Sequence, residues 1–143
     1  SADGSVVAIG AVGNDGNGSN SGYVRIYKNI NNNWAQIGSD IDGEAAGDYS
    51  GNSISLSADG SVVAIGASHN DGNGSNSGHV RIYKNINNTW TQIGSDINGE
   101  AAGDYSGNSI SLSADGSVVA IGADYSNSDR GYARIYQNIN FIY

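Results

Sequence analysis

Short apolar clusters recur along the chain at regular spacing and are separated by polar stretches rich in Gly, Asn and Ser. Asn52 to Ser57 alternates apolar and polar residues, Ser61 to Ala67 is a β-branched run, and His79 to Lys84 alternates again. Trp90 to Ile93 forms a fourth short segment. A period of two is typical of half-buried strands, and no stretch carries the period of a helix. The pattern therefore predicts an all-β chain.

These segments belong to a repeat. Ser1 to Gly10 recurs identically at Ser57 to Gly66 and at Ser113 to Gly122, so the offset is 56 residues. The first two copies differ only at positions 12, 13, 23, 33, 35 and 42 of the first. A repeat of this size indicates stacked units, because a single unit cannot bury its own apolar face. Four antiparallel strands in each copy predict the blades of a β-propeller.

The repeat also predicts the domain organisation. We expect a single repeat domain over 1–143, with a partial blade at 1–47, a blade at 48–103 and a partial blade at 104–143. This is about two and a half blades, whereas closed propellers have about four to eight. Either the chain is a piece of a longer array, or copies complete each other by strand exchange. Head-to-tail pairing that does not close would give a fibre.

Composition excludes several classes of partner. Six basic residues stand against fourteen acidic ones, and the net charge is -8. Nucleic acids and anionic membranes both need a positive surface, so we expect neither as a partner. The chain contains no Cys, which excludes disulfides and thiolate zinc sites. No apolar run approaches the roughly 18 residues of a membrane helix, so no membrane insertion is expected.

Three pieces of the repeat carry a family resemblance. Gly47 to Ile54, Val62 to Ala67 and Gly78 to Tyr83 resemble, in order and spacing, the FG-GAP repeat of integrin alpha chains and microbial surface proteins. The chain has Ser50 where that family has its name-giving Phe, and Ser68 where it has Pro. The resemblance implies a β-propeller at an extracellular or cell-surface location, with a role in adhesion or in binding carbohydrate or protein.

Integrin-type blades often hold calcium between their first and second strands. The corresponding connection here is only Ser57 to Gly60, which is too short to wrap an ion. We therefore do not carry that site over to this chain.

Two other loops have the chemistry of calcium sites, because Ca²⁺ takes about six to eight oxygen ligands from a flexible loop. The first loop offers oxygens at relative positions 1, 3, 5 and 9, the early spacing of an EF-hand loop, in both copies: Asp40, Asp42, Glu44 and Asp48, then Asp96, Asn98, Glu100 and Asp104. The second loop offers Asp15, Asn17 and Ser19, repeated as Asp71, Asn73 and Ser75. The alternative is that these side chains cap backbone groups in tight surface turns. In a propeller both loops lie on one face.

Three sequons for N-glycosylation begin at Asn17, Asn73 and Asn87. Chance is the alternative explanation, because Asn and Ser are so common in this chain.

Catalytic patterns are weak. His69 and His79 occur only in the middle copy, and no nucleophile elbow or metal-hydrolase motif is present, so we do not expect an enzyme. The regular pairs of Arg and Tyr predict packing within blades: Arg25 with Tyr27, Arg81 with Tyr83, and Arg134 with Tyr136. Trp34 and Trp90 are expected between blades rather than on a sugar platform.

The sequence thus leaves two function classes open. The first is an extracellular structural or adhesive repeat protein that self-associates or forms part of a larger propeller or fibre. Its expected partners are copies of itself or neighbouring repeats of the same array. The alternative is a lectin-like module that binds a glycan or a protein through the acidic loop face, with or without calcium.

Overall fold

The computed structural model describes residues 1–125 and 130–137, and this part of the chain forms twelve β-strands. The strands are β1 (Val6–Ala11), β2 (Tyr23–Ile30), β3 (Asn33–Gln36), β4 (Ile41–Asp42), β5 (Ser53–Leu56), β6 (Val62–Ala67), β7 (His79–Ile86), β8 (Thr89–Gln92), β9 (Ile97–Asn98), β10 (Ser109–Leu112), β11 (Val118–Ala123) and β12 (Tyr132–Gln137). The described part has no helix, and therefore none that could cross a membrane.

The strands form three antiparallel sheets in chain order. Sheet 1 has the order β1-β2-β3 and sheet 2 the order β5-β6-β7-β8, while sheet 3 has the order β10-β11-β12. The short strands β4 and β9 pair with the first residues of β2 and β7. Register repeats as well, since Val6 pairs with Lys28 and Val62 with Lys84. The all-β prediction is confirmed, and the described sheets do not close into a ring.

The four strands predicted in the middle copy all form. Their ends differ from the predicted ones by at most two residues. The additional two-residue strands β4 and β9 were missed because a segment so short carries no readable alternation. The predicted division at residues 47 and 103 assigns β1–β4, β5–β9 and β10–β12 to separate segments. That division stays a prediction, and its last segment includes residues outside the described ones.

The predicted hairpin turn between β5 and β6 is also present. The Asp59 carboxylate accepts hydrogen bonds from the Ser61 N–H at 2.9 Å and from the Ser57 hydroxyl at 2.8 Å. Gly60 has φ +74°, a conformation in which a side chain is disfavoured. These bonds lower the pKa of Asp59, chiefly through the Ser61 N–H. The carboxylate therefore serves the turn through these hydrogen bonds.

The apolar core lies between the sheets. In β6, Val63 and Ile65 pack against sheet 1, whereas Val62 and Ala64 pack against sheet 3. Successive side chains of a strand point to opposite faces, so one run of β-branched residues contributes to two cores. The stacking expected of the repeat is therefore what buries its apolar residues.

Candidate functional site

The two candidate loops lie together at one end of the sheets. Asn17 Nδ2, in the loop between β1 and β2, donates hydrogen bonds to the carbonyl oxygens of Gly43 at 2.8 Å and Glu44 at 3.0 Å. Asn73 repeats this contact in the second copy, at 2.8 Å and 3.1 Å. The prediction that both loops share a face is therefore confirmed.

Asp40 opens the first candidate calcium loop and is held within its own sheet. Its two carboxylate oxygens accept hydrogen bonds from Arg25 Nε and Nη2, each at 2.8 Å, and Gln36 donates a third at 2.7 Å. The Arg25 guanidinium lowers the pKa of this carboxyl group. Asp42 is exposed two residues further on.

Glu44 and Asp48 instead contact the next sheet. Glu44 Oε2 lies 3.0 Å from Arg81 Nη2, and the buried Asp48 carboxylate accepts a hydrogen bond from Asn70 Nδ2 at 2.9 Å. The structure thus does not bring Asp40 together with these two side chains. A calcium site formed by the four residues of this loop stays a prediction.

In the second copy, the predicted calcium ligands are likewise separated between their own sheet and the next. Asp96 accepts hydrogen bonds from Arg81, which holds the pKa of Asp96 at about 2. Glu100 pairs with Arg134 of sheet 3, and Asn98 is exposed. Asp104 accepts hydrogen bonds from the N–H groups of Glu100 and Ala101. The alternative of backbone capping is thus observed for Asp104.

The loop between β1 and β2 uses its own carboxylate to close itself. Asp15 Oδ1 accepts a hydrogen bond from the Asn20 N–H at 2.8 Å, and Asp71 does the same with Asn76 at 2.7 Å. The Asn17 and Asn73 amides face the neighbouring loop, while Ser19 and Ser75 are exposed. The oxygens of the predicted set therefore have separate local surroundings.

The three sequons differ in the state of the atom that would carry a glycan. Asn17 Nδ2 and Asn73 Nδ2 each donate two hydrogen bonds, so both of their hydrogens are in use. Asn87 lies exposed in the turn between β7 and β8. Of the three residues, Asn87 is the one whose glycosylation would leave the hydrogen bonds between the two loops intact.

A polar cluster crosses the junction between sheets 1 and 2. A ring nitrogen of His79 and one carboxylate oxygen each of Glu44 and Asp96 lie within 4.8 Å of one another, and Arg81 pairs with both carboxylates. Burial, followed by the charge of Arg81, lowers the pKa of His79. Sequence reasoning missed this cluster because Glu44 belongs to one copy of the repeat and the other residues to the next.

An aromatic row crosses the loop face. The His69 ring lies 4.8 Å from the Tyr49 ring and 5.1 Å from that of Tyr105, which in turn lies 5.6 Å from the ring of Tyr125. Tyr49 and Tyr105 lie in the loops that follow β4 and β9, whereas His69 and Tyr125 lie in the loops that follow β6 and β11. His69 and Tyr125 hold equivalent positions after β6 and β11, and this shared aromatic character was the signal in the sequence.

The predicted pairing of Arg with Tyr is present in two copies, where Arg81 hydrogen-bonds Tyr83 and Arg134 hydrogen-bonds Tyr136. Ring stacking involves other tyrosines, since Arg25 stacks on the ring of Tyr23 at 4.5 Å and Arg134 on that of Tyr132 at 4.9 Å. Tyr136 also packs against the apolar core. The two tryptophans differ, since Trp90 packs between sheets 1 and 2 and Trp34 is 50% exposed.

The outer sheets leave apolar faces uncovered. Val7 is 37% exposed and Ile9 is 50% exposed, although their equivalents Val63 and Ile65 are 0% and 3% exposed. At the other end, Ile135 of β12 is 74% exposed. We call the Val7, Ile9 and Trp34 side the leading face, and the Ala133 and Ile135 side the trailing face.

Three repeated antiparallel sheets, joined face to face, define a tandem β-sheet repeat. The sequence model of the FG-GAP repeat matches residues 40–83, in agreement with the resemblance noted from the sequence. The match starts at Asp40 and ends at Tyr83, and it therefore includes the junction between sheets 1 and 2. No curated protein matches the chain.

Proposed function

We propose that this chain is an extracellular structural or adhesive unit that builds a larger propeller or fibre by docking to further copies of its own repeat. The observation that carries the proposal is the residue identity between the exposed leading face and a face that is buried inside the same chain. Extracellular location rests on the FG-GAP match, because repeats of this type are typically extracellular.

The internal junction supplies the template for docking. Between sheets 1 and 2, Ile26 of one sheet packs in the same core as Val63 and Ile65 of the next. Ile135 is the equivalent of Ile26, and Ile9 is the equivalent of Ile65. A trailing face that met a leading face would bring together side chains of the kind already joined within the chain.

The ion pairs between sheets run in one direction along the chain. Glu44 after sheet 1 pairs with Arg81 of sheet 2, and Glu100 after sheet 2 pairs with Arg134 of sheet 3. Arg25 is the equivalent of these arginines, and among the described residues its only ion pair is with Asp40 of its own sheet. A docked repeat that carries the corresponding glutamate would place it beside Arg25.

Mass in solution tests this proposal. We expect light scattering to show that wild-type mass rises above that of one chain with concentration, and that Ile9→Asp prevents the rise. Ile30→Asp is the matched control, because Ile30 and its equivalent Ile86 are 51% and 49% exposed and so lie outside the junctions. A wild-type protein that stays monomeric at micromolar concentrations and above would contradict the proposal.

Ligand binding by the loop face is the second candidate function, and the aromatic row favours it. Aromatic rings beside amide and carboxylate groups are suited to sugars, whose rings have apolar faces and polar edges. Asn108 pairs with Asp124 next to this row. A glycan array tests the candidate, with His69→Gly, which introduces the residue of the first copy, expected to weaken binding. No bound glycan would count against it.

A further inference from the structure

The polar cluster at the junction of sheets 1 and 2 contains a buried imidazole nitrogen without a hydrogen-bond partner among the described residues. The side chain of His79 is 5% exposed, and its Nδ1 makes no hydrogen bond within the described residues. The nearest carboxylate oxygen in an ion-pair arrangement is Asp96 Oδ2, at 4.0 Å. Buried polar atoms are normally satisfied, so this nitrogen needs an explanation.

The third copy shows one role that a side chain at this position can have. Tyr23 and Tyr132 stand at the first residue of β2 and β12, where β7 has His79. The Tyr132 hydroxyl reaches across the junction and donates a hydrogen bond to Asp104 at 3.0 Å. The shorter imidazole makes no such bond to Asp48, the equivalent of Asp104. The middle copy has therefore exchanged a structural hydroxyl for a nitrogen that faces carboxylates.

We infer that Glu44, His79 and Asp96 form a binding site for a divalent transition metal ion, represented by Zn²⁺. An imidazole nitrogen and two carboxylate oxygens are a common ligand set for zinc, at about 2.0–2.2 Å from the ion. In tetrahedral coordination such ligand atoms lie about 3.3 Å apart. The observed group lies within 4.8 Å, and the Glu44 side chain is 49% exposed and therefore has room to move closer.

Arg81 is the competitor of the metal ion. Its guanidinium lies 3.0 Å from Glu44 Oε2 and 2.7 Å from Asp96 Oδ1, so a cation already occupies the space between these carboxylates. Binding of Zn²⁺ requires Arg81 to release the oxygens that become ligands. The nearby Asp48 carboxylate adds negative charge that favours the exchange.

The proposed site crosses a junction but lies within one chain. Glu44 follows sheet 1, whereas His79 and Asp96 belong to sheet 2 and its connection. Zinc would therefore join the two sheets directly and stabilise the folded chain by mass action. This inference does not depend on the proposed assembly, since no second copy contributes a ligand.

The test is a calorimetric titration of the full chain with Zn²⁺ after treatment with a chelator, together with its melting temperature. We expect one zinc ion per chain and a higher melting temperature with zinc. His79→Tyr installs the tyrosine of the other copies and should weaken binding at least tenfold and abolish the thermal shift. His69→Tyr is the matched control, because Tyr125 holds the equivalent position in sheet 3, and it should bind as the wild type does.

Each other outcome overturns the inference. Absence of zinc binding to the wild type would remove the site, and equal binding by wild type and His79→Tyr would place zinc elsewhere. Glu44→Gln provides a second variant on an exposed side chain that leaves the core unchanged, and it too should weaken binding. Loss of binding in His69→Tyr alone would assign zinc to the loop face.

Discussion

Strands β1 and β6 have the same sequence and different surroundings. All six residues of β6 are buried, whereas in β1 only Val6 is buried and Ile9 is 50% exposed. Both strands form and both pair in the same register with the next strand. What differs is the set of neighbours. Strand β6 lies between two sheets and pairs with β5 and β7, whereas β1 has a sheet on one side and, among the described strands, pairs only with β2.

This repeat therefore encodes a junction between sheets as well as a strand. Local pairing forms in each copy without a neighbour on both faces, but the apolar residues become a core only when two copies meet. Stability in such arrays is approximately a sum of unit and neighbour terms. The difference between equivalent residues of sheets 1 and 2 therefore measures the neighbour term.

The largest difference in the free energy of unfolding is expected between substitutions of the equivalent residues Ile65 and Ile9. Ile65→Asp places a charge in the core at a residue that is 3% exposed and should reduce the free energy of unfolding by about 4 kcal/mol or more. Ile9→Asp should cost less than about 1 kcal/mol in dilute solution, where its face is uncovered. Urea unfolding of both variants at low concentration measures the difference, and equal losses would contradict the comparison.

The next largest difference in stability is expected between alanine substitutions at the equivalent glycines Gly66 and Gly122. A methyl group at Gly66 would overlap the carbonyl oxygen of Gly107 in the next sheet, so Gly66→Ala should cost about 2–3 kcal/mol. At the equivalent Gly122 the closest atom is the hydroxyl of Ser109, which can rotate away. Gly122→Ala should therefore cost less than about 1 kcal/mol. Melting temperatures of the two variants provide the check, and an equal shift would show that neighbour backbone is not the cause.

Substitutions of the two tryptophans should differ in their loss of stability by less than those of the isoleucines and glycines. Trp90 Nε1 donates a hydrogen bond to the Ile37 carbonyl oxygen across the junction at 2.8 Å. Trp90→Phe leaves that oxygen without this donor and should cost about 1–2 kcal/mol. Trp34→Phe, on the uncovered face, should change stability by less than about 0.5 kcal/mol. Chemical denaturation separates the two cases, and a larger loss at Trp34 would reverse the comparison.

The smallest effect concerns acid stability. The pKa of Asp96 is lowered from 3.8 to about 2, chiefly by its hydrogen bond to Arg81. The ionised form is thus favoured by folding, so this stabilisation is present above pH 3.8 and is lost as pH falls towards 2. Asp96→Asn should cost about 1 kcal/mol at pH 7 and flatten stability between those pH values. Asp40→Asn, in the more exposed pair with Arg25, should have the weaker effect in the same urea series.

Local features were predictable and contacts between copies were not. Alternation placed β5 to β8 correctly, and the Asp59-Gly60 pair identified its turn because both signals are contained in a few residues. The loop carboxylates were predicted as calcium ligands from their spacing alone. Their partners Arg25 and Arg81 lie on other strands, and only register and sheet stacking bring them close. His79 likewise acquires its surroundings from two different copies.

Mixing two single-face variants tests head-to-tail docking most directly. Ile9→Asp blocks the leading face and keeps the trailing face, whereas Ile135→Asp does the reverse. Each variant alone should sediment as a monomer, and their equimolar mixture should form a one-to-one dimer through the remaining pair of faces. A mixture that stays monomeric, or either variant dimerising alone, would contradict docking between the leading and trailing faces.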